Sequence, residues 1–438
     1  MTTVTTARDA AEISAPAKLH GEVSLPGDKS ITHRAILLNA MAEGEARISQ
    51  AGLGADCMRT VQCLRSLGVD IQFLSDTDLL IRSSGSQGMQ EPDEVLDCGN
   101  AGTAMRLLLG LVAGLDAFSV LSGDASLRRR PMSRVTNPLR LMGAEIYGRN
   151  GGENPPIAVN GGRLEGIEFE LPVASAQVKS ALLIAGMIAS GETTIRQPAL
   201  SRNHTELMLA TQGVQIDANG LTLTIKGGQR PNPIDVRVPR DVSSAAFWLT
   251  AGAIHPQADL MMPGVSINPT RAGVIDVLRR MGAQIDIIAD NNGTEPTAGL
   301  RVRSSRLHAT RIDGEQVPIV QDEIPILALA ATQAEGRTEI RDAQELRIKE
   351  SDRISTTCRE LNSLGANVEE LADGLIIEGP TPLNGAVVDS HDDHRLAMCL
   401  GVAGLVADGT TTVLGADSAS VSYPSFWPEL ARLSLNSA

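Results

Sequence analysis

The stretch LPGDKSITHRAILLNAMAEGEARI, from Leu25 to Ile48, sets a pattern for the whole chain. It reads as a short apolar strand, a small polar cluster, an Ala/Leu-rich helix, then Gly and a β-branched strand. The pattern returns as LDCGNAGTAMRLLLGLVAG from Leu96, LPVASAQVKSALLIAGMIASGETTI from Leu171 and VPRDVSSAAFWLTAGAIHPQADL from Val238. Two further copies are VPIVQDEIPILALAATQAEGRTEI from Val317 and VDSHDDHRLAMCLGVAGLVADGTTTV from Val388. Successive copies start 71, 75, 67, 79 and 71 residues apart, which is too regular for accident. Such self-similarity marks a fold built from repeated units.

A second signature follows five of the copies: LRSLGVDI from Leu64, LRLMGAEI from Leu139, LATQGVQI from Leu209, LRRMGAQI from Leu278 and LNSLGANV from Leu361. Each reads as the last turn of an amphipathic helix, a glycine just past its end, and an alternating strand. One unit is then strand, helix, strand, strand, second helix and strand, or close to it, and the class is α/β or α+β. Three copies precede Val236 and three follow, which predicts two pseudo-symmetric domains. One spans residues 24–236; the other combines 1–23 with 237–438. The leading segment KLHGEVSL, Lys18 to Leu25, looks like a strand without a repeat of its own that completes the second half. The chain then crosses between halves near Ser24 and Val238, a two-strand hinge that predicts closure on a ligand. The opening MTTVTTARDAAEIS has no apolar core of a secretory signal and reads as a short frayed lead-in.

Composition narrows the function. The 438 residues carry a formal charge of −14, with five Phe, two Trp and two Tyr. An acidic chain so poor in stacking side chains is a weak candidate for nucleic-acid binding. The longest nearly apolar run, Leu396 to Ala407, is shorter than the ~20 residues a membrane-spanning helix needs. Cys57, Cys63, Cys98, Cys358 and Cys399 are scattered, which argues for reduced thiols in a cytoplasmic protein.

The polar cluster of each copy sits where a strand hands over to a helix. Helix starts carry unpaired N–H groups and favour anions. Lys29, Ser30 and Arg34 open the first copy; Asn100, Gly102 and Thr103 the second; Ser175, Gln177 and Lys179 the third. Asp322 and Glu323 open the fifth, and His391, Asp392, Asp393, His394 and Arg395 the sixth. LRRRPMSR (Leu127–Arg134) and LRIKESDR (Leu346–Arg353) add basic clusters. Singly, KS or RRR reads as surface charge, Gly102 as a packing glycine and DEIP as an ordinary acidic helix start. HDDH has metal-like spacing, but no further His or Cys clusters with it, so no metal is expected. Together, cations at equivalent repeat positions in an acidic chain point to a cleft for a small polyanion.

PGDKSITHRA, GNAGTAMR, GDASLRRRPMSR, SAQVKSALL, SRNHTE, DEIPILALAA, LRIKESDR and DDHRLAM, in this order, resemble the 3-phosphoshikimate 1-carboxyvinyltransferase (EPSP synthase) family from about Gly21 to Pro428. The resemblance implies two domains of three βαβαββ units each, an inverse α/β barrel. It also implies transfer of the enolpyruvyl group of phosphoenolpyruvate to the 5-hydroxyl of 3-phosphoshikimate, with release of phosphate and without a cofactor. By matching motif positions, Lys29, Ser30, Arg34, Ser175, Ala176, Gln177, Arg202, Asp322 and Lys349 are implied contacts of 3-phosphoshikimate. Lys29, Gly102, Arg130, Gln177, Arg353 and Arg395 are implied contacts of phosphoenolpyruvate. Asp322 is implied as the proton acceptor, Glu350 as the group that protonates C3 of phosphoenolpyruvate, and Lys29 as a stabiliser of developing charge. A cytoplasmic monomer without nucleic-acid or membrane partners is expected. Three positions depart from the commonest family pattern. Leu107 follows Arg106 where many members have Pro, Ala176 replaces a second Ser, and VSYPSF (Val421–Phe426) lacks the usual Lys. The sister enzyme acting on UDP-N-acetylglucosamine is a rival, but it typically has Lys-Asn where Lys29-Ser30 stand and a Cys in the GDASLRRRP loop.

Overall fold

The computed structural model describes residues 4–7, 9–290, 293 and 295–435. The chain folds as two compact units. A continuous unit comprises Gly27–Val238, and a discontinuous unit comprises Met1–Pro26 with Pro239–Ala438.

Among the described residues thirteen α-helices run in chain order as α1 (Lys29–Ala40), α2 (Ala55–Ser66), α3 (Gly102–Val112), α4 (Ser133–Leu141), α5 (Ala176–Ile188), α6 (His204–Thr211) and α7 (Val242–Ile254). They continue as α8 (Gly273–Arg280), α9 (Val317–Val320), α10 (Ile324–Thr332), α11 (Arg353–Ser363), α12 (His394–Ala403) and α13 (Phe426–Leu435). Helices α1, α3 and α5 lie at the heart of the continuous unit, and α7, α10 and α12 at the heart of the other, buried on nearly every side. A helix apolar all round belongs inside a core. At Gly110 of α3 a Cβ would stand 2.3 Å from the carbonyl oxygen of Ala181 in α5, so only glycine permits this approach. Helices α2, α4, α8 and α11 are outer and amphipathic, with polar residues outward. Each of the five second-signature glycines, Gly68, Gly143, Gly213, Gly282 and Gly365, has a positive φ just past a helix end, which is where left-handed backbone is cheap for glycine alone.

Among the described residues each unit contains three sheets with one plan: a parallel pair followed by two antiparallel neighbours. The continuous unit orders them Val236–Arg237, Glu43–Ser49, Leu79–Ser84, Asp70–Phe73; then Leu96–Asp97, Phe118–Ser122, Asn154–Asn160, Glu145–Arg149; then Glu168–Glu170, Glu192–Arg196, Thr222–Lys226, Ile216–Asn219. In the discontinuous unit the first sheet is Leu19–Glu22, Ala258–Ser266, Thr297–Arg303, Gln284–Ala289. The second is Leu307–His308, Ala334–Ile340, Gly374–Gly379, Asn367–Leu371, with Arg311–Ile312 also pairing Ala334–Ile340. The third is Val387–Asp389, Thr410–Leu414, Ala10–Ser14, Val4–Ala7.

Three expectations need correction. The opening segment is no frayed lead-in: Val4–Ala7 and Ala10–Ser14 form an antiparallel hairpin that pairs with Thr410–Leu414. It supplies the two strands that the sixth copy lacks, while residues 1–3 and 8 and the last three of LARLSLNSA lie outside the described residues. The apolar stretch at Leu25 is not a strand. The parallel partner of Glu43–Ser49 is Val236–Arg237, which arrives from the other end of the unit. Val317–Val320 is a short helix, because Pro318 favours its first turn and the parallel position is already filled by Leu307–His308 and Arg311–Ile312.

Candidate active site

In the continuous unit the polar clusters open the buried helices α1, α3 and α5. Asp28 caps α1 by accepting the amide of Ile31 at 2.8 Å, and Lys29 and Ser30 occupy its first turn. Lys29 Nζ pairs with Asp56 Oδ2 of α2 at 3.0 Å and keeps 18% of its side chain exposed, enough to meet a ligand. Arg34, one turn on, is buried. It donates from Nε to Thr205 Oγ1 (2.7 Å), from one terminal nitrogen to the Ser30 carbonyl (2.9 Å) and from the other to Ser180 Oγ (2.8 Å). Three oxygens from α1, α5 and α6 thereby fix the plane of its guanidinium.

Ser175 caps α5, and Ala176 and Gln177 follow in its first turn. Gln177 joins the starts of α3 and α5. Its carbonyl accepts from Arg106 at 2.5 Å and its amide donates to Thr103 Oγ1 at 2.8 Å. A Cβ at Gly102 would lie 3.0 Å from a terminal nitrogen of Arg106 and 3.1 Å from one of Arg130. Gly102 is thus a place where two guanidinium groups approach the backbone, and the helix-packing role falls to Gly110. Within LRRR, Arg128 and Arg129 are exposed, whereas Arg130 is buried and donates to Asn100 Oδ1 at 2.6 Å. Arg202 is half-buried in the loop ahead of α6. That loop is tethered by the buried Lys179, which donates to the Ser201 carbonyl at 3.1 Å and pairs with Glu206 at 2.6 Å. Burial lowers the pKa of Lys179, and Glu206 opposes the shift.

The discontinuous unit gathers its predicted residues more tightly. Asp322 lies in the turn ahead of α10. Its Oδ1 stands 3.7 Å from Lys349 Nζ and 3.4 Å from Arg353, and its Oδ2 stands 3.7 Å from Arg395. Arg353, at the start of α11, donates to Glu350 at 2.7 Å and grips Asp393 with bonds of 2.7 and 3.2 Å. Burial works against the charge of Arg353, but Asp393, Glu350 and Asp322 outweigh it and its pKa rises. Burial alone would raise the Asp393 carboxyl; the Arg353 guanidinium reverses this and holds it below the ordinary carboxylate range. Asp393 also caps α12.

The acidic pair at Asp322–Glu323 does not cap α10, which has no side-chain cap. Glu323 is buried and accepts from Ser243 Oγ (2.5 Å), Arg271 (2.8 Å) and Arg395 (3.2 Å). Arg271, Arg353, Arg395 and Lys349 therefore interleave with Asp322, Glu323, Glu350 and Asp393. The sequence reading did not assign Glu323, Ser243, Arg271, Arg106 or Asp56 to the site. One signal was present: Asp241 and Ser243 occupy in the fourth copy the positions at which the other copies carry their polar clusters. His391 bonds Glu360 at 2.8 Å and Arg359 at 2.7 Å. Among the described residues no group of three or more His, Cys, Asp or Glu is placed to hold a metal ion.

Three-sheet units around buried helices that begin in charged clusters define an enolpyruvyl transferase fold. A solved enolpyruvyl transferase from Streptomyces tendae shares it, with a TM-score of 0.78 at 21% identity over 96% of both chains. A solved EPSP synthase from Acinetobacter baumannii is similar with a TM-score of 0.85 at 40% identity, covering 96% of this chain and 97% of that one. Relatives named 3-phosphoshikimate 1-carboxyvinyltransferase include one from Synechococcus sp. (strain JA-3-3Ab), 51% identical over 437 residues, 99% of this chain and 98% of the relative. Another, from Bacillus cereus (strain 03BB102), is 48% identical over 416 residues, 95% of this chain and 97% of the relative. The chain belongs to the EPSP synthase (3-phosphoshikimate 1-carboxyvinyltransferase) family, whose profile matches residues 13–430.

Proposed function

We propose that this protein transfers the enolpyruvyl group of phosphoenolpyruvate to the 5-hydroxyl of 3-phosphoshikimate, the shikimate-pathway step leading toward chorismate and the aromatic amino acids. The observation that carries the reading is the close association of Asp322 with Lys349, Arg353 and Arg395, a carboxylate set among cations suited to anionic substrates. Asp322 takes the proton of the 5-hydroxyl, and Glu350 delivers one to C3 of phosphoenolpyruvate. The new C–O bond forms at C2, giving a tetrahedral ketal. Elimination then returns a C3 proton to Glu350 as the C2–O bond to phosphate breaks, and the departing phosphate takes up the proton held by Asp322. Lys29, Arg130, Arg353 and Arg395 balance the negative charge of phosphoenolpyruvate and of the ketal, and Gly102 and Gln177 complete its surroundings. Lys29, Ser30, Arg34, Ser175, Ala176, Gln177, Arg202, Asp322 and Lys349 hold 3-phosphoshikimate. Guanidinium forks match carboxylate and phosphate edges in a way an ammonium cannot.

On this reading the reaction needs neither metal nor organic cofactor, and the protein works as a cytoplasmic monomer. Five buried cysteines suit a reducing compartment. No helix among the described residues is long and apolar enough to cross a membrane. The deciding experiment follows phosphate release from phosphoenolpyruvate with and without 3-phosphoshikimate. Release that requires both substrates is expected; release with UDP-N-acetylglucosamine in place of 3-phosphoshikimate would sink the assignment.

A further inference from the structure

We infer that Glu323, acting with Ser243, is a positioning residue that sets the phosphoenolpyruvate-binding orientation of Arg395; the inference rests on the assignment of Arg395 made under Proposed function. Three helix starts meet at this one carboxylate. Ser243 lies in the first turn of α7, Glu323 directly precedes α10, and Arg395 lies in the first turn of α12. The Glu323 side chain is fully buried, with 0% exposure. Its Oε2 accepts from Arg271 at 2.8 Å, and its Oε1 accepts from Ser243 Oγ at 2.5 Å and from Arg395 at 3.2 Å.

The hydroxyl closes a triangle. Ser243 Oγ donates to Glu323 and accepts from the other terminal nitrogen of Arg395 at 3.2 Å, while its own amide is held by Asp241 Oδ1 at 2.7 Å. The Asp322 carbonyl takes a further bond from Arg395 at 3.0 Å. A guanidinium is a rigid plane, so anchoring both terminal nitrogens on one side fixes which way its remaining edge faces. Glu323 is also the shared counter-ion of two buried arginines, Arg271 and Arg395. Without its charge the two cations repel, and Arg395, the more exposed of the pair at 8% against 2%, is the one that shifts. Asp322, a proposed contact of 3-phosphoshikimate, meets Arg395 through its carbonyl and at 3.7 Å through Oδ2, but its carboxylate also stands beside Lys349 and Arg353, so loss of the triangle falls chiefly on phosphoenolpyruvate.

Steady-state kinetics with each substrate varied in turn test this on Glu323→Gln, Ser243→Ala, Ser243→Thr and Arg395→Lys. Glu323→Gln should raise KM for phosphoenolpyruvate by roughly 10- to 100-fold, as loss of one partner of a buried charge pair does. Ser243→Ala should raise it by about 3- to 10-fold, the scale of the net contribution of one hydrogen bond. In both, KM for 3-phosphoshikimate should stay within about twofold, and Ser243→Thr, which keeps the hydroxyl, should restore most of the loss. Where Glu323→Gln fails to fold, the Ser243 pair carries the test. An unchanged KM for phosphoenolpyruvate, or an equal rise for both substrates, in Ser243→Ala overturns the positioning role. If Arg395→Lys weakens phosphoenolpyruvate while the Glu323 and Ser243 variants do not, only this inference fails. If Arg395→Lys also has no effect, the assignment beneath it is wrong.

Discussion

Three buried helices begin together in each unit, yet different chemistry ties their starts. In the continuous unit the tie is an amide: Gln177 accepts from Arg106 and donates to Thr103, and Arg34 is seated on two hydroxyls and a carbonyl. In the discontinuous unit the ties are carboxylates: Glu323 holds Arg271 and Arg395, and Asp393 holds Arg353. A neutral tie orients a guanidinium without adding a charge of its own. A carboxylate tie orients it more firmly and compensates part of the cation's charge. The pairs Lys29–Asp56 and Lys179–Glu206 moderate the contrast without removing it. The same scaffold thus seats its guanidinium groups by two chemistries, one of which carries its own counter-charge.

The contrast can be broken most severely at Asp322. Asp322→Asn keeps the shape but removes the proposed base, and turnover should fall by roughly 10²–10⁴-fold while 3-phosphoshikimate binding changes less. Near-normal turnover would assign the proton to another group. Next comes Asp393→Asn, which strips the fully buried partner from Arg353; urea unfolding should show a loss of about 3–5 kcal/mol. Ser180→Ala, which removes one neutral tie from Arg34 and a bond to Thr205, should cost about 1.5–3 kcal/mol in the same measurement. Equal losses at these two positions would erase the distinction between carboxylate and neutral ties.

The smallest effect concerns pH. His33 is buried on α1, bonded to Thr60 at 2.7 Å, and its pKa is pushed well below the ordinary histidine value by burial first and by Lys29 and Arg34 next. The unfolded chain therefore takes up the proton before the folded one. Stability from this group is complete above about pH 6.5 and declines as the pH drops below it, by at most about 1.4 kcal/mol per pH unit. His255 in the discontinuous unit shifts in the same direction, chiefly by burial, so the variant isolates the effect. His33→Asn should flatten the fall in melting temperature between about pH 7.5 and 5.5; an unchanged slope would place the acid sensitivity elsewhere.

Much of this architecture could be read from residues close in sequence. Helix starts with polar clusters and helix ends with glycine depend on a few neighbouring side chains, and Gly68, Gly143, Gly213, Gly282 and Gly365 all carry the expected left-handed backbone. What escaped the reading depends on distant partners. Ala10–Ser14 alternates over only five residues, with Ala11 and Ile13 buried and Glu12 exposed, and becomes a strand because Thr410–Leu414 presents an edge to it. Val317–Val320 is apolar enough for a strand but its parallel position is already taken. The assigned charges at Asp322, Lys349, Glu350, Arg353 and Arg395 do gather in one place. The residues behind them were less legible, because an acidic residue before a helix is equally suited to capping. Only the burial of Glu323 against three helix starts distinguishes an arginine anchor from a cap.

The strand exchange at the chain's beginning also sets an order of manufacture. The continuous unit has every strand it needs once Val236–Arg237 has been synthesised. The discontinuous unit must hold Leu19–Glu22 in reserve for Ala258–Ser266, and Ala10–Ser14 for Thr410–Leu414. Ser14 and Thr410, whose hydroxyls lie 3.1 Å apart in the finished sheet, are separated by 396 residues. At a ribosomal pace of about 5–20 residues per second, the first strands wait roughly 20–80 s for their last partner. Throughout that interval the nascent chain carries unpaired strand edges beside a unit that can already be folded. Its vulnerability to mispairing is therefore concentrated at the amino terminus, until the final sheet closes.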